Sequence, residues 1–167
     1  DFIKLWRFTV EYLRDQKNVH NLFYVYSPGI SKTRGLLWRY PGDDYVDVLA
    51  YDKYAHDITH LIPELRLLVL EGEKRGKLTA FAETGSEGIR HVNYWTKNLI
   101  NPIKNDPIVK KLSYVMVWRN SSKNPNHYYA PYPGHPSVPN FLKIVKDPFV
   151  LFMGDLKRRK VYRRKRR

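Results

Sequence analysis

Four short apolar runs are spaced along the chain, at residues 22–26, 45–51, 78–82 and 112–118. They are rich in valine, leucine, tyrosine and phenylalanine, and glycine, proline, asparagine or aspartate lies at their ends, which is typical of β-strands. The first residues of successive runs are 23, 33 and 34 positions apart, which leaves room for a helix in each gap. The pattern therefore predicts strands that alternate with helices.

Helical periodicity marks several of the remaining segments. Residues 2–14 carry an apolar stripe at helical spacing, and it starts so early in the chain that further residues are expected before it. Residues 63–75 begin with a proline and are followed by glycine, and residues 89–100 stop shortly before Pro102, so both are predicted helices. A shorter helix is predicted at 141–145. Alternating strands and helices predict an α/β fold with a parallel sheet.

Ionisable and aromatic residues follow the predicted strands. The second run leads into Asp52 and Tyr54, the third into Glu83, and the fourth ends at Trp118. In parallel α/β folds the chemistry collects at the carboxyl ends of the strands. Carboxylates bind hydroxyl groups and aromatic rings stack on the apolar faces of sugars, so this mixture predicts a carbohydrate site. On pattern alone, Glu83 also fits a helix cap or a surface charge.

Six motifs carry a resemblance to a known family: WRFTVEYLRD, HNLFYVYSPG, YPGDDYVDVLAYDKY, AETG, YVMVWRN and YYAPYPGH. In this order they closely resemble glycoside hydrolase family 26, whose members are mainly endo-β-1,4-mannanases of the retaining (β/α)8 TIM-barrel type. The resemblance extends from residue 1 to about residue 156. It implies a β-mannan or manno-oligosaccharide substrate and no cofactor.

The resemblance also implies a role for each residue at the strand ends. Glu83 matches the family's catalytic nucleophile, and Tyr54 matches the tyrosine that donates a hydrogen bond to it. Asp52 matches an aspartate that contacts substrate. Trp118 matches the tryptophan that forms the floor for the sugar at the cleaved bond.

The general acid/base of the family has no counterpart here. It is a second glutamate at the end of strand four, in a His-Glu stretch that this sequence lacks. The four runs therefore resemble strands 5 to 8, so residues 1–156 are predicted to be the carboxyl-terminal half of a barrel. Neither Glu87 nor Asp52 is a convincing replacement acid. We expect either a missing amino-terminal half or self-association, because a half-barrel leaves two open sheet edges.

Charge adds a second partner to consider. The chain carries a formal net charge of +14, but residues 157–167 hold nine of its 30 lysines and arginines and no acid. This basic tail is predicted to be disordered and to bind nucleic acid only non-specifically. Rival hypotheses are therefore a nucleic-acid binder that uses the tail and a non-catalytic module that binds polysaccharide.

Other candidate sites are weaker. His56 and His60 are four residues apart but have no third ligand, so a metal site is not expected. Ser86 lacks the glycine of a nucleophile elbow and is predicted to be a loop residue. The sequence leaves open whether Tyr129 and His135 line the cleft. Without cysteine there is no disulfide, and no apolar stretch is long enough to span a membrane. A secreted or cell-surface bacterial protein is expected.

Overall fold

The predicted strands form one parallel sheet in the computed structural model, which describes residues 1–29 and 35–161. All neighbouring strands are parallel, and their spatial order follows the chain. The carboxyl ends of all four strands therefore lie at the same edge of the sheet, and the predicted α/β class is confirmed. The strands are β1 (Val25–Tyr26), β2 (Val48–Asp52), β3 (Leu78–Thr84) and β4 (Tyr114–Val117).

Three strands, β1, β2 and β4, are shorter than their apolar runs. The run at 45–51 loses its first residues because Asp43–Tyr45 forms a 3-10 turn. In that turn the Tyr45 hydroxyl donates a hydrogen bond to Glu11 Oε1 at 2.7 Å, which ties the strand entrance to the first helix. The run at 22–26 is strand only in its last two residues. Apolar patterning therefore found each strand, but it gave the correct first residue only for β3, which begins at Leu78.

One helix precedes β1, and the others lie between β2 and β3, between β3 and β4, and after β4. The first, α1, continues into a π-helical segment, and a second π-helical segment leads into α3. Their bounds are α1 (Phe2–Glu11) with Tyr12–Gln16, α2 (Ile62–Arg75), Tyr94–Ile100 with α3 (Asn101–Asn105), α4 (Val138–Val145) and α5 (Met153–Arg158). Further 3-10 turns lie at Thr59–Leu61, Glu87–Ile89 and Val109–Lys111.

The helix predicted at 89–100 extends instead from Tyr94 to Asn105, so the prediction is wrong at both ends. Gly88 and Ile89 have φ values of +71° and +43°, which an α-helix does not allow, so the helix begins only at Tyr94. Pro102 does not end it. This proline lies in the first turn of α3, where the hydrogen-bond pattern changes and a missing N–H is tolerated.

The two faces of the sheet differ in side-chain size. Leu49, Tyr51 and Phe81 point to the helices and join a large buried cluster with residues of α2 and the second π-helical segment. The opposite face of β2 and β3 carries small buried residues, namely Val48, Ala50, Ala80 and Ala82. Both faces of β2 and β3 are therefore buried, as expected for the central strands of a parallel sheet.

Apolar grooves lie beside both outer strands. One groove, of about 350 Å³, lies at β1 and is lined by residues that include Phe2, Trp6 and Val25. The other, of about 370 Å³, lies at β4 and is lined by residues that include Tyr114 and Leu151. Tyr114 and Leu151 are 40% and 43% exposed, so apolar surface is left uncovered where the sheet stops.

The predicted boundary at residue 156 falls inside α5, which continues to Arg158. Residues 162–167 of the basic tail lie outside the described residues, so the predicted disorder of the tail stays a prediction. Among the described helices, none is long and apolar enough to cross a membrane.

Candidate active site

Asp52 and Glu83 are neighbours at the carboxyl edge of the sheet. They are Cα partners in the β2–β3 ladder, and the register shifts between Tyr51 and Asp52. Such irregularities re-aim side chains at the end of a strand. The Lys53 N–H donates to the Glu83 carbonyl at 2.9 Å, which fixes the backbone of the two strand ends together. Two carboxylates are thus held side by side.

Tyr54 donates a hydrogen bond to the carboxylate of Glu83. The distance from Tyr54 Oη to Glu83 Oε2 is 2.7 Å. Partial burial of Tyr54 and this bond to Glu83 raise the pKa of the phenol well above its usual range, so Tyr54 remains a donor at neutral pH. Glu83 itself is half-buried, and among residues 1–29 and 35–161 no side chain donates a hydrogen bond to its second oxygen, Oε1.

Asp52 has a polar but uncharged partner. Ser27 Oγ, at the end of β1, donates to Asp52 Oδ1 at 2.5 Å. Burial, together with the negative charge of Glu83, raises the pKa of the Asp52 carboxyl. Within residues 1–29 and 35–161, no ion pair includes either Asp52 or Glu83. Both acids therefore keep acceptor capacity for hydroxyl groups.

Trp118 follows β4 at the same edge. The backbone N–H of Trp118 donates to the carbonyl of Thr84 at 3.1 Å, so the residue lies beside the end of β3. The indole is half-buried, and the Arg119 guanidinium carbon lies 5.9 Å from its ring centre. The fold thus gathers the four residues predicted from sequence at one edge of the sheet.

Tyr129, which the sequence left open, belongs to this site. Its ring centre lies 5.3 Å from that of Tyr54, and only 8% of the residue is exposed. The partners of His135 are other residues: its Nε2 lies 3.4 Å from Tyr128 Oη, and its Nδ1 is hydrogen-bonded to Ser137. The signal for Tyr129 was the aromatic HYYAPYPGHP stretch, but periodicity does not show which of its rings reaches the strand ends.

The alternative candidates are engaged in other contacts. Glu87 Oε1 lies 2.6 Å from His127 Nδ1, and His56 Nδ1 lies 2.6 Å from the buried Ser86 Oγ. In the part of the chain that is described, no group of three histidine or acidic residues is arranged to hold a metal ion.

Comparison with known proteins identifies the family. Residues 1–131 match the model of glycosyl hydrolase family 26. The chain belongs to this family. The resemblance drawn from the six motifs is thereby confirmed.

Relatives in family 26 are mannanases by name. A mannan endo-1,4-β-mannosidase of Bifidobacterium adolescentis is 38% identical over 102 residues, which are 54% of this chain and 10% of that protein. Mannan endo-1,4-β-mannosidase A and B of Caldalkalibacillus mannanilyticus is 29% identical over 120 residues, 71% of this chain and 22% of the relative. This chain therefore matches only a small part of either relative.

Solved family 26 structures share the fold. A β-mannanase from Bacteroides ovatus has a TM-score of 0.83 and 38% identity, over 99% of this chain and 48% of its own. A modular endo-β-1,4-mannanase from Cellulomonas fimi has a TM-score of 0.79 and 33% identity, over 92% of this chain and 36% of its own. The chain spans less than half of either family 26 structure.

Proposed function

We propose that the complete protein that contains this chain is a retaining endo-β-1,4-mannanase and that Glu83 is its nucleophile. The observation that carries this proposal is the 2.7 Å bond from Tyr54 to Glu83 at the carboxyl edge of a family 26 sheet. The names of the similar proteins support mannan as the substrate. Mannan is an extracellular polymer, so we also propose a secreted or cell-surface location.

The reaction follows from the free oxygen of Glu83. With Oε2 bonded to Tyr54, Oε1 attacks the anomeric carbon of the mannosyl unit and forms an ester bond. The bond from that carbon to the leaving oxygen breaks, and a second carboxyl group gives its proton to this oxygen. Water, deprotonated by the same second group, then attacks the anomeric carbon and releases Glu83. Both protons are accounted for, and the configuration is retained.

Substrate contacts fall to the other residues at this edge. Asp52 keeps acceptor capacity beside its bond to Ser27 and accepts hydrogen bonds from sugar hydroxyls. Trp118 presents an indole at the end of β4, and an aromatic face stacks on the apolar face of a pyranose. A neutral polysaccharide needs no positive charge at its site, and among the described residues no lysine or arginine forms an ion pair with Asp52 or Glu83.

The second carboxyl group comes from outside this chain in our proposal. Retaining enzymes hold their two carboxyl groups about 5 to 5.5 Å apart on either side of the bond. Glu87 is bound to His127, and Asp52 lies on the adjacent strand and is bound to Ser27. Glu87 therefore already has a structural partner, and Asp52 lies beside Glu83 instead of facing it across the bond to be cleaved.

A half-barrel would explain why the second carboxyl group is missing from this chain. We propose that β1 to β4 are strands 5 to 8 of a (β/α)8 barrel, and that the missing half covers the grooves beside β1 and β4. Two observations support it. This chain covers 48% of the Bacteroides ovatus structure, and the face of β2 and β3 away from the helices carries small side chains that would fit the inside of a barrel. Closure by a second copy is disfavoured, because the two copies of Glu83 would then lie four strands apart around the barrel.

Release of reducing sugar from β-mannan tests the proposal. The complete protein is expected to release oligosaccharides, and the separate chain of residues 1–167 is expected to release little or none. Turnover by the separate chain at the rate of the complete protein would contradict the half-barrel. An inactive complete protein that still binds manno-oligosaccharides in calorimetry would instead favour the non-catalytic binding module.

A further inference from the structure

The loop after β4 folds back onto the site, and the side chain of Asn120 fixes it by binding backbone groups later in the same loop. Asn120 Oδ1 accepts hydrogen bonds from the N–H groups of Tyr129 and Ala130, both at 2.9 Å. Asn120 Nδ2 donates to the Ala130 carbonyl at 2.9 Å. One side chain at the start of the loop therefore sets where Tyr129 lies, nine residues later.

The Tyr129 ring is held from several sides. Gly85, directly after β3, lies against it: a Cβ atom at Gly85 would be 2.6 Å from Tyr129 Cδ1. The His127 ring meets the Tyr129 ring edge-on at 5.3 Å, and His127 is itself bound to Glu87. A loop tyrosine with 8% exposure and such close neighbours has little freedom to change rotamer.

Tyr54 needs support of this kind. It is 41% exposed, and the Tyr129 ring packs against its ring at 5.3 Å with an interplanar angle of 56°. The backbone on either side is fixed, because Lys53 and Ala55 donate to the carbonyls of Glu83 and Gly85. With the backbone fixed, the direction of the Tyr54 hydroxyl depends on the position of its ring, and the Tyr129 ring packs against that ring.

We infer that Tyr129 is a positioning residue that acts through Tyr54 on Glu83. It holds the Tyr54 ring in the rotamer from which Oη reaches Glu83 Oε2, so that Oε1 faces the anomeric carbon. His127 packs against the Tyr129 ring and is itself held by Glu87. The inference rests on the proposed function for its effect on rate, whereas its structural part concerns only the Tyr54–Glu83 bond.

The test uses Tyr129→Leu and Tyr129→Phe in the complete protein. Leucine keeps an apolar side chain at the buried position but removes the flat ring, so kcat on manno-oligosaccharides is expected to fall about 10-fold with KM changed less than about 2-fold. Phenylalanine keeps the ring and is expected to restore kcat. A matched control is Tyr132→Leu, because Tyr132 lies in the same loop but contacts Tyr128 and His135.

A double-mutant cycle distinguishes positioning from general stabilisation. Tyr54→Phe removes the hydroxyl that Tyr129 is inferred to aim, so adding Tyr129→Leu should lower kcat by less than about 2-fold more. If the two effects multiply instead, Tyr129 does not act through Tyr54. Equal losses in Tyr132→Leu and Tyr129→Leu would also overturn the inference.

A crystal structure of Tyr129→Leu gives an answer that does not depend on activity. We expect the distance from Tyr54 Oη to Glu83 Oε2 to exceed 3.5 Å or the Tyr54 ring to occupy a second rotamer. A single ordered ring still at 2.7 Å would overturn the inference. If the unsubstituted protein releases no sugar, the proposed function fails while this measurement still decides the role of Tyr129.

Discussion

Two aspartates, Asp106 after α3 and Asp52 at the end of β2, are partnered in opposite ways. Asp106 is 6% exposed, and its Oδ2 accepts bonds from Arg66 Nε and Nη2 at 2.7 and 2.6 Å. Its Oδ1 accepts bonds from the N–H groups of Ile108 and Val109. The bond from Arg66 lowers the pKa of Asp106 below its usual range. Each oxygen thus has a structural partner.

Asp52 has a hydroxyl and a like charge instead of an arginine. Its partners are Ser27 and the neighbouring Glu83, and its pKa is raised where that of Asp106 is lowered. The difference indicates what each acid is for. Asp106 closes a turn and stabilises the fold, whereas the strand-end acids are held in place with acceptor capacity unused. Such under-partnered acids are typical of binding and catalytic sites.

The largest predicted effect separates chemistry from folding at the strand-end acids. Glu83→Gln in the complete protein should lower kcat on mannan on the order of 10⁴-fold or more, because an amide cannot attack the anomeric carbon. The thermal midpoint should change little, since glutamine still accepts the bond from Tyr54. Rates from a reducing-sugar assay, beside calorimetric unfolding, measure both. A variant that keeps a tenth of the activity would refute the assignment of Glu83.

The next effect is on stability and concerns the fully partnered acid. Asp106→Asn should lower the free energy of unfolding by about 1–2 kcal/mol at pH 7, because charge-assisted bonds to Arg66 and two backbone N–H groups are weakened. Urea titration measures it. Glu73→Gln is the control: its pair with Lys111 is exposed on both sides, and a loss below about 0.5 kcal/mol is expected.

The pH dependence of this loss has a definite sign. The pKa of Asp106 is lower in the folded state, so its stabilisation is complete above the ordinary value of 3.8 and disappears as pH falls through the lowered value. The difference between wild type and Asp106→Asn should therefore shrink below pH 3.8. A difference that stays constant down to the acid transition would show that the charge of Asp106 is not what stabilises the turn.

The smallest predicted effect has the opposite sign. Asp52→Asn should raise the free energy of unfolding by about 0.5–1 kcal/mol at pH 7, because the carboxylate is partly buried beside Glu83 and asparagine still accepts from Ser27. The pKa of Asp52 is raised in the folded state, so its contribution to stability is best below 3.8 and falls as pH rises through the raised value. Activity should fall at the same time. If Asp52→Asn is less stable than the wild type at pH 7, Asp52 stabilises the fold as Asp106 does, and the contrast between the two acids is wrong.

Sequence patterning found what depends on neighbours along the chain. Apolar runs predicted the four strands, and the first residue past each run predicted Asp52 and Glu83, because a strand that leaves the core must present a polar residue there. The helix at 94–105 was misplaced because the positive φ of Ile89 depends on the packing of its turn and not on periodicity. Helix α5 was missed because six residues, of which only Met153 and Leu156 have apolar side chains, are too few to show a helical stripe.

The hydrogen-bond partners within the site are far apart along the chain, so no local sequence pattern predicts which residues will meet. Ser27 and Asp52 are 25 residues apart, and Tyr54 and Glu83 are 29 apart. The Tyr54–Glu83 bond was expected only through the family resemblance, and the contact between Tyr129 and Tyr54 was not expected at all. Folding brings these side chains together, so the two-carboxylate chemistry could be suggested from sequence but its supporting rings could not.

Covalent trapping tests the central claim most directly. A retaining enzyme forms an ester between sugar and nucleophile, and a 2-deoxy-2-fluoro-mannosyl fluoride makes that ester long-lived. After the complete protein is incubated with this reagent and digested, mass spectrometry should find one mannosyl adduct, on Glu83. An adduct on another carboxylate, or inactivation without any adduct, would contradict the account.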